Sequence, residues 1–174
     1  MNKRITQAMG DATREVFLTM LGMDIHADPA YLECNAPKGA EGMVSLIGLA
    51  GQWIGTGSIS CSSEFACRIA SQMLTMEAPA VNEEVLDAVG EITNMIIGGF
   101  KTAMEDCLGP LWMSLPTVIY GRNFIARSMS SSEWNVAPFT CDGARLEVKV
   151  CLTPNRQPEH GVRTDLWHMP QMPA

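Results

Sequence analysis

The sequence predicts an α+β fold, a mostly antiparallel sheet with amphipathic helices packed on it, and three observations carry that prediction. Helix-period stretches are grouped at the start and middle of the chain instead of alternating one for one with strands. Strand-period stretches come in pairs joined by short turn signals, Ala50-Gly51 and Asp142-Gly143, the connection of antiparallel hairpins. The 174 residues, 47% of them apolar and only 18% charged, suit one domain with enough apolar surface to close a core.

The elements follow in order. Ile5, Ala8, Met9, Ala12, Val16, Met20 and Leu21 form one stripe of a first helix that Gly22 stops. Residues 23–42, punctuated by Pro29, Pro37, Gly39 and Gly42, are irregular around a short strand at Tyr31–Cys34. Met43–Leu49 is apolar on both faces and reads as an interior strand, and Gln52–Ser60 follows it. In the second strand Gly55 and Gly57 leave room for a helix to lie close. Ser62 or Ser63 caps the next helix, whose stripe is Phe65, Ala66, Ile69, Ala70, Met73 and Leu74. Pro79 closes that unit. Asn82 caps a long helix with Glu83 and Glu84 in its first turn, running to about Glu105 before Gly109-Pro110. "LWMSLPTVIYG" is a strand interrupted or started by Pro116, and "EWNVAPFT" and "RLEVKVCL" flank Asp142-Gly143. In the last strand Arg145, Glu147 and Lys149 alternate with Leu146, Val148 and Val150, the pattern of a half-exposed strand. A single domain over 1–152 is expected, followed by a proline-rich tail over 153–174.

Several function classes are excluded. A formal net charge of −7 opposes a nucleic-acid backbone, and no basic run suits an anionic membrane. No stretch approaches the ~18 continuous apolar residues of a membrane span, and the first residues lack the apolar core of a signal peptide. A cytoplasmic protein is expected. The six cysteines contain no C-x-x-C pair and read as buried thiols, and no His/Cys/Asp/Glu spacing marks a metal site. The serines Ser45, Ser58 and Ser60 lie on strands with no histidine at a suggestive spacing, which argues against a serine hydrolase. The methionines read as core filler, and Trp112 and Trp134 fit either core or interface.

The chemistry-bearing stretch is "LDAVGEITNMIIGGF", residues 86–100. On a wheel stepped at about 100° per residue, Glu84, Asp87, Asn94, Gly98 and Lys101 fall within about 80° of Glu91. Val85, Leu86, Val89, Ile92, Ile96 and Phe100 lie opposite. A solvated outer face is the ordinary explanation of such a polar stripe. Gly98 argues against it, because glycine costs about 0.5–1 kcal/mol relative to alanine in a helix interior. Close helix–sheet packing would account for Gly99 more readily than for Gly98. The residues alone therefore reach a docking face bearing a carboxylate and a carboxamide, and no reaction.

Asp87, Glu91 and Asn94, as D-x-x-x-E-x-x-N, followed by Pro116, resemble the signature of the CheX/CheC family of chemotaxis phosphatases. "MLTMEAPAVNEEVLDAVGEITNMIIGG" and "LPTVIYG" look like its single-motif CheX branch, and the likeness extends over nearly all but the tail. The resemblance implies a CheC-like fold, a homodimer whose sheet continues between subunits, and dephosphorylation of a CheY-type response regulator. Asn94 would position the attacking water, and Glu91 would pair with the lysine beside the regulator's phosphorylation site. Asp87, Gly98 and Lys101 would face the partner. Magnesium is expected on the regulator, with no cofactor of the chain's own. Arg145–Leu152 offers the edge for dimer pairing. The alternatives are a non-catalytic regulator-binding adaptor and a subunit of a flagellar or signalling assembly.

Overall fold

The structure, a computed structural model, describes residues 1–34, 41–122 and 133–155. The proline-rich segment from 156 onward lies outside the described residues. Helix α1 (Asn2–Val16) ends in one wider turn, Phe17–Leu21, closed by Gly22 in the left-handed conformation (φ 62°). Strands β1 (His26–Ala27) and β2 (Tyr31–Glu33) precede the hairpin of β3 (Glu41–Gly51) and β4 (Trp53–Cys61). Helices α2 (Ser63–Leu74) and α3 (Glu83–Leu108) follow, then β5 (Leu111–Met113), β6 (Thr117–Arg122), β7 (Trp134–Cys141) and β8 (Ala144–Pro154).

Both expected caps form. Ser62 Oγ accepts from the Phe65 N–H at 3.1 Å and Asn82 Oδ1 from the Val85 N–H at 3.0 Å, each satisfying one orphan donor of a first helical turn. The Asp142-Gly143 turn has positive φ at both residues (46° and 79°), the primed geometry that matches strand twist.

All pairings among the described strands are antiparallel, in the order β1-β7-β8-β4-β3-β5. Each outer position is shared by two short strands. β2 continues the column of β1 along β7, and β6 continues that of β5 along β3. Proline has no N–H to donate to a ladder, and the β5–β6 column breaks at Ser114–Pro116, opposite Gly48 of β3.

The helices cover one sheet face. Phe17, Phe65, Ile69, Ile92, Ile96 and Phe100 meet Ile47, Ile59, Phe139 and Val148 in one continuous core. α3 lies against the sheet at Gly57. A β-carbon there would stand 2.7 Å from Ile97 Cδ1 and 2.9 Å from both its Cγ atoms, closer than carbon atoms approach without a shift. Gly57→Val is therefore expected to overpack this contact and cost about 1–3 kcal/mol. Calorimetry should show Tm falling by roughly 3–10 °C for a domain of this size; an unchanged Tm would mean that α3 does not bear on β4 here.

Four expectations are corrected. β8 is interior, paired along its length with β4 and β7, so Arg145–Leu152 is not a dimer edge, and its outer row is exposed at Arg145 but buried at Lys149 and Cys151. The misleading row Arg145-Glu147-Lys149 contains one buried charge, paired with two partly buried carboxylates. Lys149 is 4% exposed, its Nζ 2.9 Å from Glu33 Oε2 and 3.2 Å from Glu147 Oε2. Burial alone would lower its pKa, but its bonds to Glu33 and the charge of Glu147 outweigh that and hold it above the ordinary lysine value. β8 also extends to Pro154, and Asn155 ties the chain back by donating to Gln52 O and Gly51 O at 2.8 and 2.9 Å, so the tail does not start at 153. Gly99 serves helix–helix contact instead of helix–sheet contact, its would-be β-carbon 3.1 Å from Ala12 Cβ of α1. Cys34 is exposed, whereas Cys61, Cys141 and Cys151 are buried as expected. The two open tryptophans also separate, Trp134 into a small cluster with Val136 and Cys151, and Trp112 onto the surface.

Candidate functional site

Glu84, Asp87 and Glu91 are exposed along α3, and Asn94, Gly98 and Lys101 are half-buried on the same stripe. Val85, Val89, Ile92, Ile96 and Phe100 are buried on the other side. Glu84, Asp87, Glu91 and Lys101 make no ion pair with any described residue, and the Asn94 carboxamide makes no hydrogen bond to one. No described residue fixes these polar groups by an ion pair or a side-chain hydrogen bond.

The glycines one turn on either side of Asn94 have different surroundings. Gly90 is buried, and its would-be β-carbon lies 3.5 Å from Pro116 Cγ and from Val118 Cγ2. Gly98 is open: its nearest neighbour would be Met113 Cε at 4.0 Å. Asn94 thus stands between a turn roofed by the β5–β6 connection and a turn left bare.

That connection is anchored. The Ser114 N–H donates to Gly48 O at 2.9 Å, Ser114 Oγ accepts from the Gly48 N–H at 2.9 Å, and the same hydroxyl donates to Leu115 O at 2.8 Å. Leu115, 87% exposed, therefore projects from a fixed loop, and Trp112 is exposed on β5. Sequence reading picked out Pro116 but missed Gly90 as its seat, Ser114 as its clamp and Leu115 as an exposed neighbour. The available signal was Pro116 breaking a strand two residues after a serine.

Thiol chemistry has no support at the sites resolved. Burial pushes the Cys61 thiol up to about 12, with Cys67 adding to the effect, and burial also raises Cys67 and Cys141. A nucleophilic cysteine needs the opposite shift. The stripe instead offers an uncharged hydrogen-bonding group between a carboxylate and an open glycine turn.

A family model described as "Chemotaxis phosphatase CheX" matches residues 43–140, more than half of the chain, including the whole of α3 and Pro116. The chain belongs to the CheX family. It is 28% identical over 129 residues to the CheY-P phosphatase CheX of Thermotoga maritima, covering 74% of this chain and 83% of that protein. A CheC-like superfamily protein from Shewanella sp. PV-4 superposes with TM-score 0.77 at 28% identity, over 88% of this chain and 99% of that one. The CheX–CheY–BeF3–Mg2+ complex of Borrelia burgdorferi shares the fold, with TM-score 0.69 and 24% identity over 84% of this chain and 96% of that one. CheX membership and the CheC-like antiparallel sheet agree with what the α3 motif implied.

Proposed function

We propose that this CheX-family chain hydrolyses the aspartyl phosphate of a CheY-type response regulator, with Asn94 orienting the attacking water and Glu91 fixing the register of docking. An aspartyl phosphate is an acyl phosphate and intrinsically labile, so the task is positioning. The Asn94 carboxamide oxygen accepts a hydrogen bond from the water and turns its lone pair toward phosphorus. As the water oxygen bonds to phosphorus, the bond from phosphorus to the acyl oxygen breaks. The regulator's aspartate leaves as a carboxylate and inorganic phosphate is released. An uncharged amide suits this role because a carboxylate would meet the phosphoryl oxygens with its own sign. In nucleotide hydrolases a glutamine carboxamide orients water in the same way.

Glu91, one turn earlier and exposed, takes the lysine beside the regulator's phosphorylation site. Asp87 and Lys101 extend the contact, and Gly98 lets the partner's backbone settle on the helix. Magnesium arrives with the regulator, and this chain supplies none. The single observation that supports the reading most is the unpartnered Asn94 carboxamide between the roofed Gly90 turn and the open Gly98 turn. The activity named for the Thermotoga relative and the CheY partner of the Borrelia protein agree with it. The test is release of inorganic phosphate from a panel of phosphorylated CheY-type regulators with and without the protein. Acceleration of at least one regulator is expected, and acceleration of none would defeat the proposal.

No helix among the described residues is long and apolar enough to cross a membrane, and a cytoplasmic location fits a regulator partner. A homodimer is proposed through one of the outer columns, β5–β6 or β1–β2, whose outer sides pair with no other described strand. Light scattering at tens of micromolar is expected to give twice the 18.9 kDa chain mass. A monomer mass at that concentration would remove the dimer.

A further inference from the structure

Beside the Glu91 end of the stripe lies a groove of roughly 370 Å³ between the end of α2 and the start of α3. One wall is apolar, made of Met73, Leu74 and Met76, and the other carries Glu84, Asp87 and Glu91. Leu74 and Met76 are 41% and 53% exposed, although both have large apolar surfaces. No Lys or Arg among the described residues lines the groove, and its three carboxylates have no described counter-charge.

The apolar wall is built in place. Thr75 closes α2 in the left-handed conformation (φ 55°) and reverses the chain. The Met76 N–H then donates to Ser71 O at 3.3 Å, and Ser71 Oγ accepts from the Ala78 N–H at 3.0 Å while donating to Cys67 O at 2.8 Å. The Met76 backbone is therefore held in place, and its side chain lines the groove opposite α3.

We infer that this groove is a second contact for the response regulator, receiving an apolar surface side chain that stands beside a lysine or arginine. The inference rests on the function proposed above, since it places the regulator's phosphoryl group at Asn94. Asp87 lies seven residues before Asn94, about 10 Å along the helix at 1.5 Å per residue. A standard protein interface covers about 800 Å² per partner, a disc reaching roughly 16 Å from its centre. A regulator centred on Asn94 thus extends over the groove. The three carboxylates set the sign of its charge, and Leu74 and Met76 set the apolar character of the side chain between them. Glu91 joins the two regions, because it both lines the groove and adjoins Asn94 on the stripe. The groove would sort regulators by affinity, leaving the chemical step to Asn94.

The test compares Leu74→Gln/Met76→Gln and Glu84→Gln/Asp87→Asn with wild type and Asn94→Ala. Binding to a panel of CheY-type regulators loaded with beryllium fluoride and Mg2+ is measured beside phosphate-release kinetics, with Tm as the folding check. The apolar double variant should bind at least about tenfold more weakly, with KM raised to match and kcat unchanged. The charge variant should also bind more weakly, with a flatter dependence of Kd on ionic strength. Asn94→Ala should show the reverse pattern, with binding kept and kcat lost. Wild-type affinity in the folded Leu74/Met76 variant would overturn the groove and leave the proposed function standing. Weakened binding in that variant, with no phosphate release by wild type, would uphold the contact and defeat the catalytic reading. No binding of wild type to any loaded regulator would overturn both.

Discussion

Asn94→Ala is expected to lower stimulated phosphate release from a phosphorylated regulator by at least about 100-fold, some 2.7 kcal/mol of barrier. In the proposed mechanism the side chain holds one water in line, and among Glu84, Asp87, Glu91, Asn94, Gly98 and Lys101 it is the one uncharged hydrogen-bonding side chain. Asp87 and Glu91 are carboxylates, and the turns on either side of Asn94 are glycines without side chains. Folding should be almost untouched. The half-buried carboxamide makes no hydrogen bond to a described residue, and substitutions at such positions usually shift stability by less than about 0.5 kcal/mol. Single-turnover release measured across regulator concentrations separates the two effects, with kcat expected to collapse and KM to stay near wild type. Asn94→Asp should also be slow, because it keeps the shape while placing a negative charge against the phosphoryl group. Wild-type turnover in the alanine protein would leave this helix without its proposed catalytic role.

The second large effect is expected at Gly98. Its would-be β-carbon finds only Met113 Cε at 4.0 Å, so the free protein accepts a side chain there. Gly98→Ala should raise stability by about 0.5–1 kcal/mol by removing backbone freedom from a helix interior. A partner's backbone settling on the bare turn would nevertheless be pushed away by that methyl, and more by the branched side chain of leucine. The alanine protein should therefore melt no lower than wild type and show a higher KM. The leucine protein should be folded and nearly inactive at low regulator concentration. A folded leucine variant with wild-type kinetics would show that the partner does not approach this turn, and Asn94 and Glu91 would then need another explanation of their register.

The placement of Asp87, Glu91, Asn94 and Gly98 on one outward stripe was legible in the sequence, because a helix sets neighbours by local spacing alone. The same locality accounts for the Ser62 and Asn82 caps, the Gly22 stop and the Asp142-Gly143 turn. Each is decided within a few residues by hydrogen bonding or by positive φ. The apolar side of α3 was equally readable, since Val89, Ile92, Ile96 and Phe100 have nowhere to go but a core.

Alternation in β8 misled for a related reason. A period of two says which side chains share a face, and it says nothing about what pairs with the strand or covers that face. Lys149 was therefore read as solvated, whereas the return of β2 along β7 brings Glu33 to it. β7 is the hairpin neighbour of β8, but β4 lies far from it in sequence, so the interior position of β8 follows from long-range pairing.

The sequence by itself determined the helices, the caps of α2 and α3 and the residues that share the outer stripe of α3, because those depend on spacing within a few turns. Only the tertiary structure decided which glycine does what. Gly57 yields to Ile97, Gly90 to Pro116 and Gly99 to Ala12, while among the described residues Gly98 has only Met113 Cε, at 4.0 Å. A missing side chain looks the same at all four positions in the sequence. What fills or leaves open the space beside it depends on elements that arrive from elsewhere along the chain.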